Sequence, residues 1–264
     1  VFQRRPHAST AKALLINSAS AYPFAGTEGE FARAHQGWGR PSVRQAFERA
    51  ERSLVIDQQR SLLLDERASY EVEVAEGEGE LRVTMVYPDP PGTLSSAMHR
   101  INDLDLVVTS PAGTVYNGNY GLETGRYSLA GGASDTLNTV ENVLIADPVP
   151  GAWQVEIFAR EVNQDGDLRT PEDDATFALV VTGATGTVTC SKGPAPTGLA
   201  AQSPSDNRVE LNWSAAEGAE KYRVYRSAES CDAGFALVAS TSTPSLAVFQ
   251  RRPHASTAKA LLIN

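Results

Sequence analysis

From residue 53 onward, apolar and polar residues alternate in short runs that Gly, Pro and Asp separate. These runs are SLLLD (61–65), SYEVEV (69–74), ELRVTMVY (80–87), LDLVVTS (104–110), TVENVLI (139–145), AWQVEIFA (152–159) and TFALVVTG (176–183). SYEVEV and much of ELRVTMVY alternate cleanly, which indicates strands with one face in water and one face buried. Seven or more strands within about 130 residues predict a β-sandwich or a jelly roll.

Before residue 53 the apolar spacing is helical. A helix is predicted over residues 8–19, because Ala8-Ser9-Thr10 can start it and Ala13, Leu14, Leu15 and Ile16 supply its apolar side. A second helix is predicted over roughly residues 42–52, after Pro41, with apolar residues at helical spacing. Glycines mark loops between the two helices, at Gly26, Gly37 and Gly39.

Beyond Gly183 the chain changes character again. The stretch Gly183–Pro196 is small, polar and rich in Gly and Pro, and it predicts a linker. Three further strands are predicted in RVELNWSA (208–215), KYRVYRSA (221–228) and FALVAST (235–241). Leu211 and Trp213 share one face of the first of them. On the next strand the buried pair is either Tyr222 with Val224 or Arg223 with Tyr225.

The first seventeen residues, VFQRRPHASTAKALLIN (1–17), return letter for letter at 248–264. Repeat proteins are built from several similar units that stack, whereas nothing between these two copies resembles them. The second copy follows Ala247 without any turn or linker signal. We therefore interpret residues 248–264 as an artefactual duplicate, from coding sequence joined to itself, and expect an isolated helix there without a native pocket.

Composition excludes several classes of partner. The chain has 264 residues, a net charge of −9 and a pI near 5.0. An acidic chain disfavours nucleic acid and anionic membrane as partners, because both attract basic surfaces. No apolar run approaches the roughly 18 residues that span a bilayer. Cys190 and Cys231 are too few for a disulfide framework and lack metal-ligand spacing, and their pairing stays open.

Catalytic motifs are scarce. His7, His35 and His99 have no paired-ligand spacing, so a zinc site is not expected. His7 and Ser9 stand at a helix start, where Ser is an ordinary cap, and this interpretation is preferred to a catalytic pair. The acidic stretches GTEGEF (26–31) and GEGEL (77–81) indicate turns rather than phosphate-binding loops.

Two acidic stretches are candidate calcium sites. NQDGDLRTPEDD (163–174) places Asn163, Asp165, Asp167 and Asp174 at loop positions 1, 3, 5 and 12. Calcium takes six to eight oxygen ligands, and such loops supply them. The Gly stands at position 4 rather than 6 and Asp replaces the bidentate Glu, so a solvated loop is the alternative.

The second candidate combines PDPPG (88–92) with INDLDL (101–106). Asp103 and Asp105 share one face of a predicted strand, and they would coordinate calcium together with Asp89. The alternative is that these carboxylates cap local turns.

Several stretches together resemble subtilisin-like serine peptidases. PHASTAKALLINSA (6–19) resembles the helix after the nucleophile-bearing helix, and GWGRPSVRQAF (37–47) resembles the G-x-G segment that closes the catalytic domain. The C-terminal jelly roll of some secreted bacterial subtilases is similar to a series of stretches: VTMVYPDPPG (83–92), INDLDLVVTSPAGTVYNGN (101–119), NTVENVLI (138–145), PGAWQVEIFA (150–159) and FALVVTG (177–183). Residues 196–227 resemble the first strands of a fibronectin type III module. Tyr87 departs from the pattern, since Trp is frequent there.

The resemblance implies a mainly β chain. A jelly-roll β-sandwich would be preceded by two helices from the end of an α/β subtilase domain and followed by an incomplete fibronectin type III-like sandwich. The expected parts are the end of the catalytic domain, the jelly roll, a linker, the partial fibronectin module and the duplicate, at 1–52, 53–184, 185–196, 197–247 and 248–264. The module, at most four of seven strands, cannot complete its second sheet.

The implied function is that of a non-catalytic C-terminal portion of a secreted subtilisin-like serine endopeptidase, which stabilises the catalytic domain. Subtilases use Ser, His and Asp, with the Ser in a G-T-S motif. This chain has no such motif, so no catalytic residue carries over and the chain alone is expected to be inactive. The implied partners are its own upstream catalytic domain and, for the parent enzyme, protein or peptide substrates. The implied location is extracellular or at the cell surface.

The main alternative is an adhesion or carbohydrate-binding β-sandwich tail. Such a tail has no need of a helix pair ending in GWGRPSVRQAF (37–47). A glycan site usually presents exposed aromatic residues on a sheet face, whereas Trp153 and Trp213 stand within apolar alternation and are expected in the core. A purely structural module that packs on the catalytic domain is compatible with the peptidase interpretation.

Overall fold

The computed structural model describes residues 5–22, 31–95, 98–168, 172–186, 196–205, 208–216, 222–227, 235–241, 243–249 and 260–263. The chain divides into two compact units, 1–190 and 191–264. Cys190, Cys231 and most of the predicted linker 185–196 lie outside the described residues. In the described part of the chain, no helix is both long and apolar enough to cross a membrane.

The first unit begins with helical segments and continues as two antiparallel sheets. The helices are α1 (Ala8–Asn17), α2 (Arg33–Gln36) and α3 (Val43–Glu48), and a 3₁₀ turn follows at Ala50–Arg52. The strands are β1 (Ser53–Leu62), β2 (Arg67–Val74), β3 (Glu80–Val86), β4 (Asp103–Thr109), β5 (Val115–Asn117), β6 (Val140–Ala146), β7 (Gly151–Glu161) and β8 (Ala175–Thr182). One sheet has the order β1-β8-β3-β6 and the other the order β2-β7-β4-β5. The mainly β prediction is confirmed.

A single apolar core joins the two sheets. In β2 every second residue is buried, as the alternation predicted, and Tyr70, Val72 and Val74 face this core. Trp153 of β7 and Phe177 of β8 are among its largest fully buried side chains. The two sheets therefore form a sandwich whose inner faces are filled by alternate residues of each strand.

Helix α1 covers the outer face of the first sheet. Along β8 all eight residues are buried, because Phe177, Leu179 and Val181 face the sandwich core while Ala178 and Val180 pack with Ala13 of α1. The prediction that β3 has one wet face is wrong for the same reason: six of its seven residues are buried. A strand covered on both faces loses the alternation between buried and wet side chains.

The second predicted helix is shorter than expected. Instead of one helix over 42–52, α3 ends at Glu48 and a 3₁₀ turn follows, while Ser42 caps α3 by accepting a hydrogen bond from the backbone N–H of Gln45. Glycine is required at position 39, before α3, for two reasons. Its φ of +92° lies in the left-handed region, and its backbone approaches Ser20 closely. A Cβ there would lie 2.5 Å from the Ser20 carbonyl carbon.

The second unit contains two three-stranded sheets. Its strands are β9 (Ala200–Ser205), β10 (Arg208–Asn212), β11 (Tyr222–Ser227), β12 (Phe235–Thr241), β13 (Ser245–Phe249) and β14 (Ala260–Ile263), in the orders β13-β10-β9 and β12-β11-β14. Leu211, Trp213, Tyr222 and Val224 form its buried cluster, so the first of the two alternatives for the KYRVYRSA strand is confirmed.

Four strands lie within 197–247, and a fifth, β13, begins at Ser245 and crosses Ala247 into the second copy of the duplicate. The helix expected over 248–264 is wrong for the residues described there. Val248 pairs with Val209 inside β13, and Ala260–Ile263 forms β14 beside β11.

Candidate functional site

Three buried carboxylates distinguish one region of the sandwich. Asp103 and Asp105 alternate with the core residues Leu104 and Leu106 on β4, so they share the other face of that strand. Glu141 stands near the start of β6, in the opposite sheet. The exposed fractions of these three acidic residues are 0%, 1% and 0%. Acidic residues are almost never this deeply buried unless they have partners.

Glu141 has a partner for one carboxylate oxygen. Its Oε2 accepts a hydrogen bond from the backbone N–H of Leu106 at 2.8 Å, whereas Oε1 has no hydrogen-bond partner among the described residues. The side chain lies against Gly118, where an added Cβ would meet Oε2 at 2.0 Å. Burial raises the pKa of Glu141 well above its ordinary value, and the hydrogen bond from Leu106 opposes this only in part.

Asp103 is the least satisfied of the three. Within the described part of the chain neither of its carboxylate oxygens has a hydrogen-bond partner, and the Arg100 guanidinium lies 3.8 Å from Oδ1. Burial raises the pKa of Asp103 to about 6; Arg100 lowers it and neighbouring Asp105 raises it further. Arg100 is shared, since it also lies 3.1 Å from the Glu161 carboxylate.

Asp105 is paired with Arg160. The Nε of Arg160 donates to Asp105 Oδ2 at 2.7 Å, and this bond raises the pKa of Arg160. The other oxygen, Oδ1, has no hydrogen-bond partner among the residues that the structure describes. One oxygen of the Asp105 carboxylate therefore takes part in an ion pair, and the other does not.

Asp89 has a different role. Its two oxygens accept hydrogen bonds from the backbone N–H groups of Ile101 and Asn102, both at 2.8 Å. These bonds tie the loop after β3 to the start of β4. Asp89 therefore caps a local turn, which was the alternative to calcium binding.

The two acidic stretches meet at Asn102. Its side-chain oxygen accepts from the backbone N–H groups of Asn163 and Gln164, at 2.8 and 3.2 Å, and its amide donates to the Gln164 carbonyl at 2.9 Å. Asn102 therefore holds the start of the 163–174 loop against β4. The two candidate calcium sites, which are separate stretches of the sequence, therefore lie together at one end of the sandwich.

Within this loop, carboxylates support the backbone. The carboxylate oxygen Oδ1 of Asp165 accepts from the backbone N–H of Asp167 at 2.9 Å. The backbone N–H of Gly166 donates to the backbone carbonyl of Asp174 at 2.6 Å. Asp167 and Asp174 are both buried. Residues 169–171 lie outside the described residues.

The predicted calcium ligands are thus neighbours in the fold without forming one cage. Among described residues, no three His, Cys, Asp or Glu side chains gather as a metal-binding group. Asp103 fits a cation best, because two buried oxygens without donors are what a hard cation satisfies. Asp89 and Asp105 have hydrogen-bond donors already. Calcium binding by Asp89, Asp103, Asp105, Asp165, Asp167 and Asp174 stays a prediction.

Sequence reasoning missed two residues of this region. Asn102 stood unnoticed between Ile101 and Asp103, although an Asn beside a strand start is a common backbone organiser. Glu141 was hidden in TVENVLI (139–145), where a polar residue inside an apolar strand was the available signal. Neither position could be linked to this region before the pairing of β4 with β7, and the place of β6 in the opposite sheet, were known.

Comparisons with known proteins give little. No protein-family model and no curated protein matches the chain. The Bacillus licheniformis lipase BlEst2 in propeptide form is 13% identical, with 73% of this chain and 32% of that chain covered, at a TM-score of 0.28. The glycoside hydrolase domain of Endo-D from Streptococcus pneumoniae R6 is 12% identical, with 80% and 33% covered, at a TM-score of 0.24. The chain spans about a third of these proteins.

Proposed function

We propose that this chain is the non-catalytic C-terminal portion of a secreted subtilisin-like serine endopeptidase, and that its β-sandwich stabilises the catalytic domain. The parent enzyme would hydrolyse peptide bonds by Ser-His-Asp catalysis. On this proposal, residues 1–52 are the end of the catalytic domain and residues 53–184 are a jelly roll fixed to it. A partial fibronectin type III-like module follows at 197–247.

The order of the strands supports the jelly roll. Eight antiparallel strands lie in two sheets, β1-β8-β3-β6 and β2-β7-β4-β5, so each sheet alternates between early and late strands of the chain. Double-sheet jelly rolls are eight-stranded sandwiches of this kind, built from two Greek keys.

The observation that carries the proposal is the attachment of α1 to the first sheet through Asn17. Its amide donates to the carbonyls of Arg82 and Val180, at 3.3 and 3.1 Å, and to Thr84 Oγ1 at 3.1 Å. The Thr182 hydroxyl donates to Asn17 Oδ1 at 2.9 Å. The side chain is buried and reaches two strands at once, so it fixes the position of the helix on the sheet.

Apolar packing and a second polar contact strengthen the same attachment. Ala13 is fully buried among Val86, Val140 and Val180. Arg82 of β3 donates to the Ala19 carbonyl at 2.7 Å, directly after α1. A sandwich that holds a helix near the end of a catalytic domain this firmly would resist the unravelling of that domain from its C-terminal end.

The helical segments also present apolar side chains to solvent. Leu15, Val43 and Phe47 are 52%, 80% and 82% exposed. On our proposal the upstream catalytic domain covers these side chains.

The adhesion or carbohydrate-binding alternative receives no comparable support. Trp153 and Trp213 are buried, as the alternation predicted, so neither offers a ring for sugar stacking. Trp153 donates its indole N–H to the Val149 carbonyl at 2.9 Å and serves the core.

The coding sequence upstream of the Val1 codon tests the proposal. A reading frame that continues into a G-T-S motif, with histidine and aspartate motifs before it, supports the peptidase. A frame that runs into a glycosidase or an adhesin domain would refute it. In the parent enzyme, Asn17→Ala should shorten the half-life of activity on heating while Lys12→Ala, on the exposed side of α1, should not.

A further inference from the structure

A pocket in the first unit is lined by three arginines. Arg33 of α2, Arg82 of β3 and Arg126 from the segment between β5 and β6 all contribute, and the pocket is a small cavity of about 30 Å³ that is partly open to solvent. Its aromatic wall is formed by Phe31 and Trp38. Arginines concentrated in one concave site are unusual in a chain whose net charge is −9.

Arg82 is buried and incompletely satisfied. Its side chain is 8% exposed; one terminal nitrogen donates to the Ala19 carbonyl and the other lies 3.3 Å from Glu80. Its Nε has no hydrogen-bond partner in the described part of the chain. Burial lowers the pKa of Arg82, Glu80 offsets this in part, and the positive charges of Arg49 and Arg126 add to the lowering.

Arg126 has no carboxylate partner among the described residues. Its guanidinium instead stands over the rings of Phe31 and Tyr127, 5.8 and 5.1 Å from their centroids. Arg33 is oriented in the same way, 4.6 Å over Trp38, and donates to Asn138 at 2.9 Å. Stacked guanidiniums keep their N–H edges available for an anion.

One carboxylate, Glu80, also lines the pocket. It is shared between Arg49 at 3.0 Å and Arg82 at 3.3 Å, so it does not neutralise Arg126 or Arg33. The lining therefore keeps a positive excess, which favours an anionic group in the pocket.

We propose that this pocket binds a carboxylate group of an acidic peptide. The guanidinium edges of Arg82 and Arg126 match a carboxylate. This inference goes beyond the proposed function and stands without it, because it rests on the pocket alone.

Calorimetric titration of the full chain tests the site. The probes are the peptide acetyl-Gly-Glu-Gly-amide, its Gln counterpart and sodium phosphate. We expect saturable binding of the Glu peptide, at least tenfold weaker binding of the Gln peptide, and at least tenfold weaker binding of the Glu peptide to Arg126→Gln. Arg126 is exposed, so this variant should keep the wild-type melting curve.

Arg67→Gln is the matched control, because Arg67 is an exposed arginine stacked 4.3 Å over the ring of Phe158 and does not line the pocket. It should bind the Glu peptide as the wild type does. Absence of binding, equal loss in both arginine variants, or equal affinity for the two peptides would overturn the proposal. Phosphate binding tighter than that of the Glu peptide would also overturn the assignment to a carboxylate.

Discussion

Asp57 and Asp103 are both buried aspartates on strands of one sandwich, yet their surroundings are opposite. Asp57 Oδ1 accepts hydrogen bonds from the backbone N–H of His7 at 2.9 Å and from the Thr10 hydroxyl at 2.6 Å, and lies 3.0 Å from His7 Nδ1. Asp103 has Arg100 at 3.8 Å and no hydrogen-bond donor among the described residues. Burial alone therefore does not distinguish the two groups; the presence or absence of hydrogen-bond donors does.

The same contrast appears in their pKa values. Burial raises the pKa of Asp57, but the hydrogen bonds from Thr10 and His7 outweigh it and the net pKa is lowered. For Asp103 burial prevails and the pKa rises to about 6. Asp57 thus stabilises the attachment of α1 to β1, whereas ionised Asp103 destabilises the sandwich unless a cation joins it.

The largest expected effect on stability concerns a buried polar side chain that, like Asp57, has its hydrogen bonds satisfied. Asn17→Ala removes the four buried hydrogen bonds that join the end of α1 to β3 and β8. We expect a loss of about 3 kcal/mol in the free energy of unfolding, measured by urea denaturation. Lys12→Ala on the exposed side of the same helix should change it by less than about 0.5 kcal/mol. Equal losses in the two variants would contradict the role of Asn17.

The two aspartates provide a matched pair of substitutions. Asp57→Asn weakens three contacts made to a carboxylate, and we expect a loss of about 2 kcal/mol at pH 7. Asp103→Asn removes an unsatisfied buried charge, and in chelator at pH 7 we expect a gain of about 1.5 kcal/mol. Urea denaturation of both variants measures the pair. If both substitutions lowered the free energy of unfolding, or both raised it, the contrast between Asp57 and Asp103 would be contradicted.

The gain in Asp103→Asn should depend on pH. The folded pKa of about 6 lies above the ordinary value of 3.8, so the folded state holds the proton more tightly. The wild type therefore loses stability as the pH rises from about 4 to about 6, and the loss is complete above that window. The variant lacks this loss. The difference between the two should vanish near pH 4 and reach its full size by pH 7; a difference independent of pH would rule out titration of Asp103.

The smallest expected effect concerns calcium. If Asp103 and its neighbours hold the ion, calcium at ten times its dissociation constant adds about 1.4 kcal/mol. For a unit of this size that corresponds to a rise of about 3–5 °C in the melting temperature. Asp103→Asn should abolish the rise, whereas Asp147→Asn, an exposed acid outside the cluster, should keep it. Identical melting curves in calcium and in chelator would remove the metal prediction.

Most strands could be predicted from the sequence, and the exceptions have physical causes. The apolar pattern predicted only the end of β1, at 61–65, because Asp57, Gln58 and Arg60 interrupt the apolar run before it. The pairing with β8 shifts register between Asp57 and Ser61, and Gln58 has a φ of +48°. Such a bulge is maintained by tertiary contacts, here those of His7 and Thr10 with Asp57.

The duplicated letters show the limit of local prediction most directly. The sequence ALLI is helical at 13–16, where Ala13 packs on the first sheet, and extended at 260–263, where its backbone pairs with β11. Identical propensities give two structures because the partners differ. For the candidate site, the aspartates were visible in the sequence, but Arg160, which pairs with Asp105, and the neighbouring carboxylate Glu141 came from other segments.

The central claim is that α1 and the sandwich are one cooperative unit, held together through Asn17. Native-state hydrogen exchange tests it most directly, by comparing the amide of Ser18, which bonds to the Leu14 carbonyl, with the amides of β8 at Phe177–Val181. We predict the same opening free energy for both, and an equal drop for both in Asn17→Ala. Exchange of the helix amide at a free energy near zero, while β8 stays protected, would contradict the account.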